Sequence, residues 1–292
     1  MRLVYLGTPE LAVPPLQALV VAGHEVVLVV SRPDRRRGRG SATSPSPVKA
    51  AAADLGLPVT DRIDDVLGVG AELGVVVAFG RIIRPHVLAA LPMVNVHFSL
   101  LPRWRGAAPV ERALLAGDAE TGVDIMAVEE GLDTGAVYAR RIVPVGPRTS
   151  AAELRAELVE VGTALLVETL AGPLPEPVVQ TGEVTVAARI EPRELQLDWA
   201  RPAVELDRLV RLGGAWTTFR DRRLKVLAAE PSGVDVAVSG GEVAGVFIDG
   251  DGGVTTGEGG LQLVTVQPEG RAPMAWRDFA NGARPTTGER LG

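Results

Sequence analysis

A chain of 292 residues, 46% of them apolar, with 30 basic and 36 acidic side chains, has ample length for a large core and, as a prior, for two domains. Having no cysteine, it forms no disulfides and does no thiolate chemistry; His24, His86 and His97 are too widely spaced to suggest a metal site, so none is expected. The formal charge of −6 argues against generic whole-surface affinity for nucleic acid, yet permits a local basic patch, because exposed charges are screened over about 8 Å at physiological salt.

Arg2–Leu6 reads as a first strand, followed by Gly7-Thr8-Pro9. Thr8 is placed to cap a helix with Pro9 at its first position, which resets near Pro14-Pro15 and stops at Gly23. Glu25–Val30 is the second strand. Strand, helix, strand is the grammar of a doubly wound, mostly parallel α/β sheet. Gly7 does not open a G-x-G-x-x-G pattern and no G-x-x-x-x-G-K-[ST] occurs, so a Rossmann-like sheet without NAD or ATP is expected. No leader-like stretch precedes the first strand, and no apolar run reaches about 18 residues. A cytoplasmic protein with no membrane partner is therefore expected.

Between Ser31 and Lys49 the chain crowds Arg32, Arg35, Arg36, Arg37 and Arg39 together, then turns to Gly, Ser and Pro. Most charge runs are solvated loops. On an acidic protein, beside a strand end, this one reads better as a basic arm that meets phosphates through salt-sensitive contacts. Lys49–Leu55 resumes helix. Gly74–Phe79 is a β-branched strand covered on both faces, ending at Gly80, where a ligand can approach the backbone closely. Arg84–Leu91 is a short helix carrying a surface His86.

Met93–Val96 is a buried strand with Asn95 and His97 at its end. Side chains at i and i+2 share a face, so the carboxamide and imidazole emerge side by side. They lie under a loop turned by Pro102 and Gly106, where open α/β sheets place their sites. A lone histidine is more often a satisfied core residue. Here the Asn95 partner, the loop and a later Asp133 favour a site. Helix Pro109–Ala116 ends at Gly117, and Thr121–Glu129 is the next strand. It leads into Glu130–Gly135, expected to leave the same sheet end as the loop after Asn95; by composition alone, Asp133 there is a turn residue. Val137–Val143 forms an antiparallel edge. Ser150-Ala-Ala-Glu153 is a capping box, opening a helix with Leu154, Leu158, Val161 and Leu165 on one face, which stops at Gly172-Pro173.

From Pro173 to Pro192 the composition shifts to Pro, Glu and Thr. The domains expected are residues 1–176, Rossmann-like and catalytic, a linker at 177–195, and 196–292. The last contains a helix, Pro202–Arg211, strands at 223–229, 242–248 and 261–267, and a closing helix Met274–Ala280. That spacing suggests a small OB-like β-barrel, a fold that often binds nucleic acid. Asp249-Gly250-Asp251-Gly252 lacks the remaining ligands of a calcium loop and reads as a hairpin turn.

The stretch Asn95-Val-His97-Phe98-Ser99-Leu100-Leu101-Pro102-Arg-Trp-Arg-Gly106-Ala-Ala-Pro109, with Gly131-Leu-Asp133-Thr-Gly135, closely resembles the methionyl-tRNA formyltransferase family. So do Gly7-Thr8-Pro9, Pro33-Asp-Arg with Gly38-Arg39-Gly40, and Ser46-Pro-Val-Lys49. The resemblance spans essentially the whole chain. Its Asn-x-His and Asp elements are shared by enzymes that use 10-formyltetrahydrofolate, and the arm points to tRNA. The resemblance implies formyl transfer from 10-formyltetrahydrofolate to the α-amino group of initiator methionyl-tRNA, with Asn95, His97 and Asp133 as the catalytic trio; nothing in the sequence demands a dimer, so a monomer is expected. Ser99, Leu100, Leu101 and Pro102 would bind the folate. Arg35, Arg36, Arg37, Arg39 and Lys49 would meet the tRNA, as would the C-terminal barrel; no metal or NAD is required.

Three positions depart from the family pattern. Phe98 replaces a small residue or proline and is expected to narrow the folate pocket. Ala188-Arg189 stands where a lysine-bearing linker is common, and Arg36-Arg37 replaces Pro-Ala, adding charge to the arm. A formyltransferase for an amino sugar or a purine precursor would share the trio but lack the arm. A non-catalytic RNA-binding relative would be expected to have lost one of the trio.

The chemistry suits these residues. An aminoacyl amine with a pKa of about 8 or below is partly neutral at pH 7 and needs no strong base. Asn95 and His97 can donate to the oxyanion, while Asp133 orients His97 and takes the ammonium proton. Arg39→Ala is expected to weaken tRNA binding most at low salt and to reduce the log–log salt slope by about 0.7–0.9. Binding titrations over a salt series check this, and unchanged affinity would reject the contact.

Overall fold

Alternation along β1 (Arg2–Gly7) sets the layers of the first unit. Leu3 and Tyr5 enter one apolar cluster, while Val4 and Leu6 enter another on the opposite face of the sheet. This computed structural model describes residues 1–36, 43–232, 244–248 and 251–292, with only the backbone of Arg35 and Arg36. Arg37, Arg39, Asp249 and Gly250 therefore lie outside the described residues.

In chain order there follow α1 (Val13–Val21), β2 (Glu25–Val30), α2 (Pro47–Asp54), β3 (Val59–Thr60), β4 (Leu73–Val77), α3 (Pro85–Ala90), β5 (Met93–His97), α4 (Pro109–Ala116), β6 (Glu120–Ala127), β7 (Val137–Pro144) and α5 (Ala151–Leu170). The sheet runs β7-β6-β5-β4-β1-β2-β3. Pairing from β5 through β3 is parallel, and β6 alone is reversed, antiparallel to both β5 and β7. The expected mostly parallel α/β sheet is thus present. Val94 and Val96 face the cluster that includes Leu154 and Leu158 of α5, whereas Met93 joins the opposite one. Asn95 and His97, in phase with Met93, lie on the face away from α5.

Several local expectations need correction. Thr8 caps no helix: its hydroxyl donates to the Phe79 carbonyl at 3.3 Å. A 3₁₀ turn at Glu10–Ala12 comes first, and α1 starts at Val13, with Pro14 and Pro15 in a first turn where missing N–H groups cost little. β4 stops at Val77, because Ala78 turns to φ +45°. Reversal of β6 means that the 128–136 loop leaves beside Met93, whose carbonyl accepts from Val128 N–H at 2.9 Å. That is the opposite end of β5 from the loop after His97.

At the base of the arm, Arg35–Arg36 pairs antiparallel with Thr43–Ser44. The buried hydroxyls of Ser31 and Ser46 meet at 2.6 Å, and Ser46 also accepts from Lys49 N–H as the N-cap of α2. The Lys49 ammonium pairs with Asp34 at 2.7 Å.

The stretch expected as a linker is hydrogen-bonded into the first unit, which extends to Ala188. Val178 bridges Val137, and Val186–Ala187 runs parallel to Arg105–Gly106.

The second unit comprises Arg189–Gly292 with Glu111–Asp118 and Gly146–Glu153. It holds α6 (Ala203–Arg211), β8 (Trp216–Phe219), β9 (Arg222–Ser232), β10 (Gly253–Thr255), β11 (Gly260–Pro268), β12 (Met274–Ala275) and α7 (Trp276–Ala283). Among the described residues the antiparallel order is β8-β9-β11-β10, with β12 also on β11, a half-barrel. Phe219, Phe247 and Trp276 are buried in its core, the Phe247 and Trp276 rings 5.3 Å apart. Of the strand expected at 242–248, the described part, 244–248, makes only isolated bridges at Val246 and Phe247. Phe247 N–H donates to the Glu289 carbonyl and its own carbonyl accepts from Gly288 N–H, both at 3.0 Å, so burial and backbone bonds outside a regular ladder together hold it. The expected C-terminal helix starts two residues late, after β12, and runs on to Ala283.

Ser46→Ala removes a helix cap and strands the buried Ser31 hydroxyl. Chemical denaturation is expected to show a loss of about 1–2 kcal/mol, with an unchanged m-value.

Candidate active site

Asn95 and His97 emerge together from β5, as the strand period requires. Asn95 is half-buried, and its carboxamide makes no hydrogen bond among the described residues. His97 is only 5% exposed. Its Nε2 lies 3.0 Å from the Trp104 carbonyl oxygen. A carbonyl only accepts, so Nε2 carries the hydrogen. Nδ1 then faces the Asp133 carboxylate, 3.7 Å from Oδ2, too long for a hydrogen bond and close enough to attract the ring only in its imidazolium form. The ring is therefore oriented by a peptide carbonyl, not by Asp133 as the sequence suggested.

Asp133 reaches this point from the far end of the strand, through a turn in which it adopts φ +50°. Its Oδ2 accepts from Gly106 N–H at 2.8 Å. Gly106 itself sits at φ +121°, and a Cβ there would lie 2.9 Å from the Ala187 carbonyl oxygen. Only glycine brings that amide to the carboxylate.

The Ser99–Pro102 loop is brought beside His97, but much of it holds itself together. Ser99 is fully buried, and its hydroxyl donates to the Arg103 carbonyl at 2.6 Å. Leu101 N–H donates to Asp124 Oδ2 at 2.8 Å, and its carbonyl accepts from Arg140 Nη2 at 2.6 Å. The Leu101 side chain packs with Met126 and Val137. Pro102 is buried, leaving the half-buried Leu100 side chain and the loop backbone to face a ligand. Phe98 does not narrow this space: one residue beyond His97 it flips to the other face, joining the core cluster that includes Leu154 and Leu158 of α5. The close approach expected at Gly80 is made by the Arg32 guanidinium, which donates to the Gly80 carbonyl.

Sequence reasoning missed Asp124, Arg140, Gln180 and Thr185. Asp124 had a signal, a carboxylate between Val123 and Ile125 in an apolar strand. It is fully buried and forms a bidentate pair with Arg140 at 2.7 and 2.6 Å. The hydrogen-bonded Asp124 carboxylate raises the Arg140 pKa above its usual value. Gln180 and Thr185 lie in the stretch read as a linker and had none. No group of three or more potential metal ligands occurs among the described residues.

A formyl transferase family model matches residues 1–170, and the formyl transferase C-terminal domain matches 189–284. The methionyl-tRNA formyltransferase of Roseobacter denitrificans is 45% identical over 305 aligned residues, 97% of this chain and 96% of that protein. That of Heliobacterium modesticaldum is 41% identical over the whole of both chains. A substituted HypX from Aquifex aeolicus shares the fold at TM-score 0.64 and 18% identity over 99% of this chain, which spans 48% of the HypX chain.

Gly135 is the second glycine the site cannot replace: a Cβ there would lie 2.0 Å from the Ala127 carbonyl oxygen. Gly135→Ala is expected to cost about 1–3 kcal/mol and to move the Asp133 turn. The denaturation midpoint and the ¹⁵N resonances of the His97 ring check both effects.

Proposed function

This chain belongs to the formyl transferases and, within them, to the methionyl-tRNA formyltransferase family, and on that premise we propose that it transfers the formyl group of 10-formyltetrahydrofolate to the α-amino group of initiator methionyl-tRNA. The carrying observation is the placement of Asn95, His97 and Asp133: an unengaged carboxamide on the imidazole's face of β5, and a carboxylate 3.7 Å from Nδ1.

The neutral amine attacks the formyl carbon, and the carbonyl electron pair moves onto oxygen. The Asn95 amide and a protonated His97 Nδ1 donate to that oxyanion, where losing one donor costs about 3–4 kcal/mol. Because Nε2–H is already committed to the Trp104 carbonyl, Nδ1 is the nitrogen that gains and loses the proton. Asp133 stabilises the imidazolium and takes the proton from the new ammonium. The tetrahedral intermediate collapses as the oxyanion re-forms the carbonyl and the C–N bond to the folate breaks, its electron pair and the proton held by Asp133 passing to the departing nitrogen. This reading takes the chain to act as a monomer in the cytoplasm.

The loop formed by Ser99, Leu100, Leu101 and Pro102 offers the folate its backbone and the Leu100 side chain. For tRNA, the basic arm with Arg35, Arg36, Arg37 and Arg39 contributes phosphate contacts. Lys49, paired with Asp34, anchors its base. The half-barrel adds a second RNA surface. Arg223 and Lys225 are exposed on β9, between buried Leu224 and Val226, and Arg223 stacks 4.3 Å above Trp216. Cationic and aromatic groups together suit RNA.

Formyl transfer to charged initiator tRNA, with elongator tRNA and amino-sugar acceptors as controls, tests the reading. Asp133→Asn is expected to leave folding intact and lower turnover by about two to three orders of magnitude. Near-normal turnover would remove Asp133 from the mechanism.

A further inference from the structure

We propose that the segment 178–187 is a positioning strap for the catalytic pair, with Gln180 fixing Asp133 and Thr185 fixing Trp104, whose carbonyl fixes His97. The inference rests on the catalytic reading of His97 and Asp133 above.

All four hydrogen-bonding positions of the Gln180 carboxamide are in use. Nε2 donates to the carbonyls of Asp133 at 2.9 Å and Gly135 at 2.7 Å. Oε1 accepts from Arg105 Nε at 3.0 Å and Nη2 at 2.6 Å. Carbonyls on one side and a guanidinium on the other allow a single orientation of the amide. Five residues on, Thr185 Oγ1 accepts from Trp104 N–H at 2.8 Å, and the carbonyl of that same residue holds His97 Nε2. Further along, the Ala187 carbonyl accepts from Ala107 at 2.8 Å and Ala108 at 3.1 Å.

Backbone conformation shows why such bracing is needed. Of the six described non-glycine residues with positive φ, Trp104 (+62°) and Asp133 (+50°) stand at the two sides of the 3.7 Å gap. A bulky aromatic in the left-handed region is a steric outlier, and such residues persist only where their surroundings over-determine them. Here one segment supplies a side-chain partner to both. A misplacement of about 1 Å between catalytic groups can cost roughly 100-fold in rate, so the strap acts on turnover without touching substrate.

Gln180→Glu separates the two halves of this role: it keeps an acceptor for Arg105 but presents no donor to the two carbonyls. The full chain is assayed for formyl transfer, and the ¹⁵N ring resonances of His97 are followed through a pH titration, with His24 and His86 as internal references. Q180E is expected to lower kcat about 10- to 100-fold, leave both KM values within about threefold, and shift the His97 resonances and their titration. Thr185→Val, similar in shape but without the acceptor, is expected to shift the same resonances and carries the test if Q180E does not fold. Both variants with wild-type kcat and unchanged His97 resonances would overturn the strap, as would an effect confined to KM. A wild-type chain inactive on methionyl-tRNA would instead overturn the proposed function, while the resonances still report on the strap.

Discussion

The Asp124 carboxylate is fully buried, in a strand otherwise rich in apolar residues, and the loop over the site is built on it. Taking an ionised carboxylate out of water costs several kcal/mol even after relaxation. Three charge-assisted hydrogen bonds offset this, two from Arg140 and one from the Leu101 amide. Arg140 is the direct cross-strand partner of Asp124, and His97 is its partner on the other side. The antiparallel insertion of β6 therefore sets a charged row beside the imidazole and clamps Leu101 at both its N–H and its C=O. A parallel β6 would have lost that register.

This arrangement divides labour in a way a triad does not. A peptide carbonyl fixes the tautomer and tilt of His97, so the nearby carboxylate is free to respond to charge. In the proposed reaction, that suits a nucleophile that arrives partly neutral and needs help chiefly when an ammonium and an oxyanion coexist. The unengaged Asn95 carboxamide belongs to the same logic, since a donor already committed elsewhere contributes nothing to a charge that appears only in the transition state.

What was legible in the sequence was local. Leu3 to Leu6 is a continuous apolar run that marks β1, and the Ser150 to Glu153 cap and the Asn95-x-His97 pair likewise declare themselves within a few residues. The direction of β6 was not legible, because period-2 patterning is identical whichever way a strand runs. The strand expected around Phe247 was misplaced for a related reason: its apolar pattern does not tell isolated bridges from a regular ladder. Gln180 and Thr185 were invisible because a strap held by side-chain amide and hydroxyl groups has no periodicity and takes the composition of a linker. Asp133 was found by motif, while the route its loop takes was not.

The strap also bears on modularity. The two family matches end at residue 170 and resume at 189, so Gln180 and Thr185 fall in the interval that belongs to neither. Cut at the end of the first match, the chain would keep Asn95, His97 and Asp133 and lose the segment proposed to space them. Tethering is what makes so short a segment effective. A covalent connection of this kind corresponds to an effective concentration in the millimolar range, which a detached peptide of a few residues would have to match. On the proposed reading, the portable unit of chemistry in this fold extends to Ala188, past the last turn of α5.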